Sequence, residues 1–159
     1  MPVISCARST AALPLMLAVV LVASMFTLSP PADAATRAQR IASAFNVVKA
    51  QQGDMYLYGA EGPNRFDCSG LTYYSFRRAG FTRIPRTSDA QARFSRRIKR
   101  VNMRVGDLVF FHSGGDVYHM GVFAGFRNGR RTILHASRSG TPVKRDPIWT
   151  DSWFAGTLR

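Results

Sequence analysis

Apolar residues recur at helical spacing along the first polar stretch of the chain. Ile41, Ala44, Phe45 and Val48 mark one face of an amphipathic helix over residues 36–52, and Gly53 is its stop. Residues 55–66 are rich in Gly, Pro and Asn and predict a loop. A second helix is expected over 69–79, ended by Gly80. Pro85 forces a turn, and Thr87 or Ser88 can cap a short third helix through about Phe94. After Lys99 the pattern changes to strands. Residues 107–112 (DLVFFH) read as a buried strand, 117–126 (VYHMGVFAGF) and 132–137 (TILHAS) as two more, and 149–158 as a last one. Asn128-Gly129 between the middle two is a hairpin signal. Helices first and strands afterwards predict an α+β domain, with N-terminal helices packed on an antiparallel β-sheet.

The N-terminus is of another kind. A short segment with one charge, Arg8, precedes the apolar run 11–28, and Ala32-Asp33-Ala34 forms a small-x-small cleavage pattern. That order predicts a signal peptide over 1–34 and a mature domain over 35–159, secreted to the cell wall or periplasm. Pro14, Ser24 and Thr27 interrupt the run, whereas a spanning helix needs about 20 apolar residues, so no stable membrane anchor is expected. Cys6 lies before the apolar run and goes with the leader. Cys68 is then the only thiol of the exported domain, either reactive or paired between chains. The 159-residue chain carries a net charge of +13, from 19 Arg and 3 Lys against 9 acidic residues. Export argues against nucleic acid as the anionic partner. The charge fits either anionic cell-wall polymers or plain solubility.

Candidate chemistry centres on Phe66-Asp67-Cys68-Ser69-Gly70-Leu71. A helix beginning at Ser69 puts the Cys68 thiol at its N-terminus, where unpaired N–H groups and the positive dipole end favour a thiolate and can hold an oxyanion. A cysteine nucleophile also needs a base and an orienting partner for that base. His119 and His135 lie on the two arms of the expected hairpin, and their register decides whether they meet. A plain two-residue turn sets His135 against Val122 and sends the two rings to opposite faces. An odd-length loop or a bulge sets His135 against Gly121. The rings are then diagonal neighbours on one face, about 7–8 Å apart at Cα. The reading therefore requires such a loop or bulge. His112 is read as a loop residue. No CxxC, HExxH or paired-histidine helix spacing is present, so neither a metal nor a cofactor is expected.

These residues resemble the NlpC/P60 peptidases through five ordered motifs. They are the Cys68 motif, Pro85-Arg86-Thr87-Ser88 with Gln91, Gly106-Asp107-Leu108-Val109-Phe110-Phe111, His119-Met120-Gly121-Val122-Phe123, and Leu134-His135-Ala136. The resemblance covers nearly all of 56–159. It departs at Tyr58-Gly59-Ala60, where the family often has Trp-Gly-Gly, and at Ile84, which replaces the usual leucine. It implies a papain-like NlpC/P60 fold and a cysteine endopeptidase that cuts peptidoglycan stem peptides near D-glutamate and the following diamino acid. It implies Cys68 as nucleophile, His119 as base and His135 as the residue that holds the base. It places Tyr56 beside the nucleophile, and Asp67, Ser69, Arg86 and Ser88 where they shape or line the substrate cleft or serve as caps and turn contacts. The expected partner is the stem peptide, and the chain is expected to act as a monomer. Two other readings fit the same residues: a non-catalytic basic wall-binding module, and an acyltransferase or amidase on the same fold.

Overall fold

The computed structural model describes residues 32–159. The expected signal peptide lies almost wholly outside the described residues. Helix α1 (Ala32–Ala50) buries Ile41, Ala44 and Val48, the face that the periodicity marks. Two short strands, β1 (Met55–Tyr56) and β2 (Arg65–Phe66), pair in parallel inside the segment expected as loop. Helix α2 (Cys68–Arg78) follows directly, and α3 (Ser88–Phe94) is capped by Thr87, whose hydroxyl accepts the Ala90 N–H at 3.4 Å.

The rest of the chain forms one antiparallel six-stranded sheet. Its strands are β3 (Arg96–Ile98), β4 (Leu108–Ser113), β5 (Asp116–Arg127), β6 (Arg130–His135), β7 (Lys144–Pro147) and β8 (Trp153–Thr157), in the spatial order β3-β8-β4-β5-β6-β7. Strand β4 is covered on both faces, which is why it reads as an unbroken apolar run. Leu108 and Phe110 enter the core shared with the helices, together with Leu71, Phe76 and Met120. Val109 and Phe111 enter a smaller cluster with Phe123, Ile133 and Trp153. Strands β3 and β7 were not expected. Both are polar edge strands rich in Arg, Lys and Asp, and period-2 apolar alternation cannot find such strands.

The β5–β6 hairpin settles the register question. Its turn is the two-residue Asn128-Gly129 type, with φ of 50° and 72°. Near the turn Arg127 pairs with Arg130 and Gly125 with Thr132, but beyond Ala124 the register shifts, so Phe123 pairs with Ile133 and Val122 with Leu134. The shift is a bulge at Ala124. It gives the inner part of the hairpin the register that places His119 and His135 on one face.

Candidate active site

The site is assembled at the start of α2. Asp67 is the N-cap, in extended conformation (φ −91°, ψ 178°). Its Oδ1 accepts the Gly70 N–H (2.6 Å), the Ser69 hydroxyl (3.2 Å) and one Arg86 N–H (3.1 Å). Its Oδ2 accepts the Gly59 N–H (3.0 Å) and a second Arg86 N–H (2.7 Å). Arg86 also donates to Ala60 O and pairs with Glu61 at 3.0 Å. Gly70 must be glycine, because a Cβ there would lie 2.0 Å from Ala60 O. Cys68 thereby becomes the first residue of α2, one earlier than expected. The first-turn N–H groups of Gly70 and Leu71 are taken by Asp67, while those of Cys68 and Ser69, with that of Met120 on β5, are directed at the thiol.

Strand β5 supplies the facing wall, and α3 holds its start. The Ser88 hydroxyl donates to Val117 O (2.9 Å), and Asp89 accepts the Val117 N–H (2.9 Å). Two residues on is His119. Its Nε2 meets Nδ1 of His135 at 2.7 Å, with the rings edge to face. The Nε2 of His135 in turn meets Asp146 Oδ2 at 3.1 Å. Trp149 stacks on Phe111 at 4.2 Å and lies 5.7 Å and 5.5 Å from the two imidazoles, so an indole borders both members of the pair. Gly121 admits His135: a Cβ at Gly121 would sit 3.1 Å from His135 Cβ and 2.8 Å from Ile133 Cδ1.

Burial controls the protonation of these groups. Desolvation, then the neighbouring Asp67 carboxylate, raise the Cys68 thiol above its ordinary value, and these outweigh the lowering by the three N–H groups. The helix terminus therefore does not make a standing thiolate here, contrary to the expectation from its position. Desolvation, helped by His135, brings His119 down from 6.5 to about 3. Burial also lowers His135, against the opposing pull of Asp146. The resting site holds a neutral thiol and neutral imidazoles. Tyr56 is raised too, by burial and then by the proximity of Cys68 and Asp67.

Tyr56, Asp67, Cys68, Ser69, Arg86, Ser88 and His119 line one cleft of about 510 Å³. His135 stands behind His119 at the second layer of the wall. Asp67, Ser69, Arg86 and Ser88 border the cleft but are occupied: Asp67 as cap, Arg86 as its ion pair, Ser69 between the two, and Ser88 in the bond that ties α3 to β5. His112 belongs to β4 and lies against Phe154, not the other histidines. Sequence reasoning missed Asp146 and Trp149, as well as the tyrosines Tyr58 and Tyr118 at the cleft rim, 86% and 55% exposed. Asp146 carries no motif, since only the β6–β7 register brings it to His135. A separate hollow of about 540 Å³, lined by Arg96, Arg104 and Arg159 among others, contains none of these groups. Among the described residues no cluster of three or more His, Cys, Asp or Glu is placed to hold a metal ion.

A cysteine on the first turn of a helix, facing a histidine on an antiparallel sheet, defines a papain-like α+β domain. The chain belongs to the NlpC/P60 family, whose model matches residues 53–159. It is 36% identical over 120 residues to a probable endopeptidase of Corynebacterium glutamicum, covering 76% of this chain and 54% of that protein. The chain thus spans about half the length of that relative. The solved peptidoglycan hydrolase RipB of Mycobacterium tuberculosis superposes with a TM-score of 0.66 at 27% identity, covering 82% of this chain and 68% of that one. RipD of the same organism, described as a non-catalytic NlpC/p60 domain protein adapted to peptidoglycan binding, shares the fold with a TM-score of 0.62 at 21% identity, covering 76% and 98%.

Two expectations follow from this geometry. Gly121→Ala destabilises the domain by about 1–3 kcal/mol through overpacking against His135 and Leu134 O, read by urea unfolding. Acid also weakens the fold. In the unfolded chain the His119 ring protonates below 6.5, whereas in the folded domain it stays neutral to about 3. Its contribution is complete above 6.5 and is lost as pH falls toward 3. His119→Gln should flatten the pH dependence of unfolding free energy in that window, by up to about 1.4 kcal/mol per pH unit.

Proposed function

We propose that the chain is a secreted cysteine endopeptidase that hydrolyses peptidoglycan stem peptides, at an amide in the region of D-glutamate and the following diamino acid. The observation that carries this reading is the placement of the Cys68 thiol and the His119 ring in one open cleft, with the ring held from behind by His135 at 2.7 Å. Residues 35–159 are the working unit after export.

Because both groups rest neutral, the proton moves as the bond forms. The His119 ring takes the Cys68 proton while Sγ attacks the amide carbonyl, and the N–H groups of Cys68 and Ser69 hold the developing oxyanion. Collapse expels the amine, which leaves with the proton from His119, and a thioester remains. Water, giving its proton to His119, attacks the thioester and releases the acid and the thiol. Tyr56 and the exposed rings of Tyr58 and Tyr118 are the cleft groups offered to the peptide, and Asp67, Ser69, Arg86 and Ser88 keep its walls in place. The Trp149 ring limits the access of water to the histidine pair. The domain acts as a monomer on the insoluble wall.

A non-catalytic, wall-binding role is the second reading, favoured by the shared fold with RipD. The complete set of Cys68, His119 and His135 argues for hydrolysis. Digestion of purified walls separates the two: wild type releases muropeptides with new amine and carboxyl ends, identified by mass spectrometry, and Cys68→Ala releases none. Lysis by Cys68→Ala equal to wild type would sink the thiol mechanism. The arginine surface, including the Arg96, Arg104 and Arg159 hollow, supports retention on anionic wall polymers. Retention of the Cys68→Ala protein on walls should fall as salt is raised, measured by pelleting.

A further inference from the structure

We propose that Asp146 is a positioning residue that fixes the protonated nitrogen on both histidines, and so leaves Nδ1 of His119 bare as the atom that takes the Cys68 proton. The inference rests on the thiol-hydrolase reading of the site and adds a fourth member to it. Asp146 reaches His135 through strand register. His135 pairs with Lys144 across β6 and β7, and Asp146, two residues along β7, is its diagonal neighbour on the same face. The contact to His135 Nε2 is 3.1 Å, and Lys144 Nζ approaches the same carboxylate oxygen at 3.0 Å.

The proton count gives a single solution. An ionised carboxylate only accepts hydrogen bonds. Burial alone would raise the Asp146 carboxyl, but the hydrogen bonds from His135 and Lys144 hold it below the usual range. The His135 proton therefore sits on Nε2. A neutral imidazole carries one N–H, so His135 Nδ1 is bare and accepts. The 2.7 Å contact then requires His119 Nε2 to donate, which leaves His119 Nδ1 without a proton. Without the carboxylate the relay can run the other way, from His135 Nδ1–H to His119 Nε2. That arrangement puts a proton on His119 Nδ1, where it cannot serve as a base. The side chain of His135 is 2% exposed and that of Asp146 30%, so water competes at the Asp146 end and not between the rings.

The test is ¹⁵N NMR of the imidazole nitrogens in the full-length exported domain, paired with wall-digestion kinetics. Wild type should show protonated Nε2 on both His119 and His135. In Asp146→Asn the amide can donate to His135 Nε2, and both rings should shift toward protonated Nδ1. The kcat for muropeptide release should fall about 10–100-fold with KM unchanged, since Asp146 does not line the cleft. Lys144→Met removes the ion pair but keeps the acceptor, and it should retain the wild-type tautomers and kcat. Protonated Nδ1 on either ring of wild type, or Asp146→Asn with unchanged tautomers, would overturn the proposal. If wild type proves inert on walls, the hydrolase reading fails while the NMR comparison still decides the role of Asp146.

Discussion

The Asp67 carboxylate accepts five hydrogen bonds at the mouth of the cleft, and the placement of Cys68 depends on them. Helix capping alone is worth about 1 kcal/mol. The ion pair with Arg86 is more consequential, because loss of one partner of a buried pair costs about 3–5 kcal/mol. Arg86 keeps 28% of its side chain exposed, which puts this case at the low end. Three separate pieces of chain meet at Asp67: the Gly59–Glu61 loop, the first turn of α2, and the segment that leads into α3. The same charge disfavours ionisation of the neighbouring thiol. Scaffold and reactivity are thus in tension at one atom group.

That tension fits the proposed mechanism, in which the site relies on a relay and not on a standing ion pair. A buried imidazole brought down to about 3 is a weak base in the empty cleft. In the proposed mechanism its usefulness depends on which nitrogen is bare and on charge developing only when a carbonyl is present to receive the sulfur. The pair of histidines, the carboxylate behind them and the indole beside them all act on that condition. In that mechanism they orient the ring and border it, and they leave its charge to be set during reaction.

Much of this was legible in the chain, and the misses share a physical cause. The apolar face of α1, the cap and stop residues of α2 and α3, and the apolar runs of β4, β5 and β6 are all local signals, so they could be read. The need for an irregular hairpin could also be read, from the parity of His119 and His135 about Asn128-Gly129, and the bulge at Ala124 meets it. Strands β3 and β7 lack an apolar face to announce them. Asp146 lies on β7 and was hidden with it, whereas Trp149 was expected in the last strand, which begins only at Trp153 and leaves the indole in the connection where it meets the histidines. The neutral thiol was missed because a helix terminus is visible in sequence, whereas desolvation by the opposite wall is not.

The bulge at Ala124 also divides the hairpin into two zones with different evolutionary freedom. Outside it, from Gly125 to Thr132, the ladder carries no functional face. A change of loop length there can be absorbed by the turn. Inside it, between Ala124 and the histidines, a one-residue insertion or deletion on either arm would rotate one ring out of the site while leaving every backbone hydrogen bond available. Ala124 acts as an insulator between a tolerant tip and a pair of histidines whose spacing is locked. Length variation among related chains should therefore collect on the turn side of that residue.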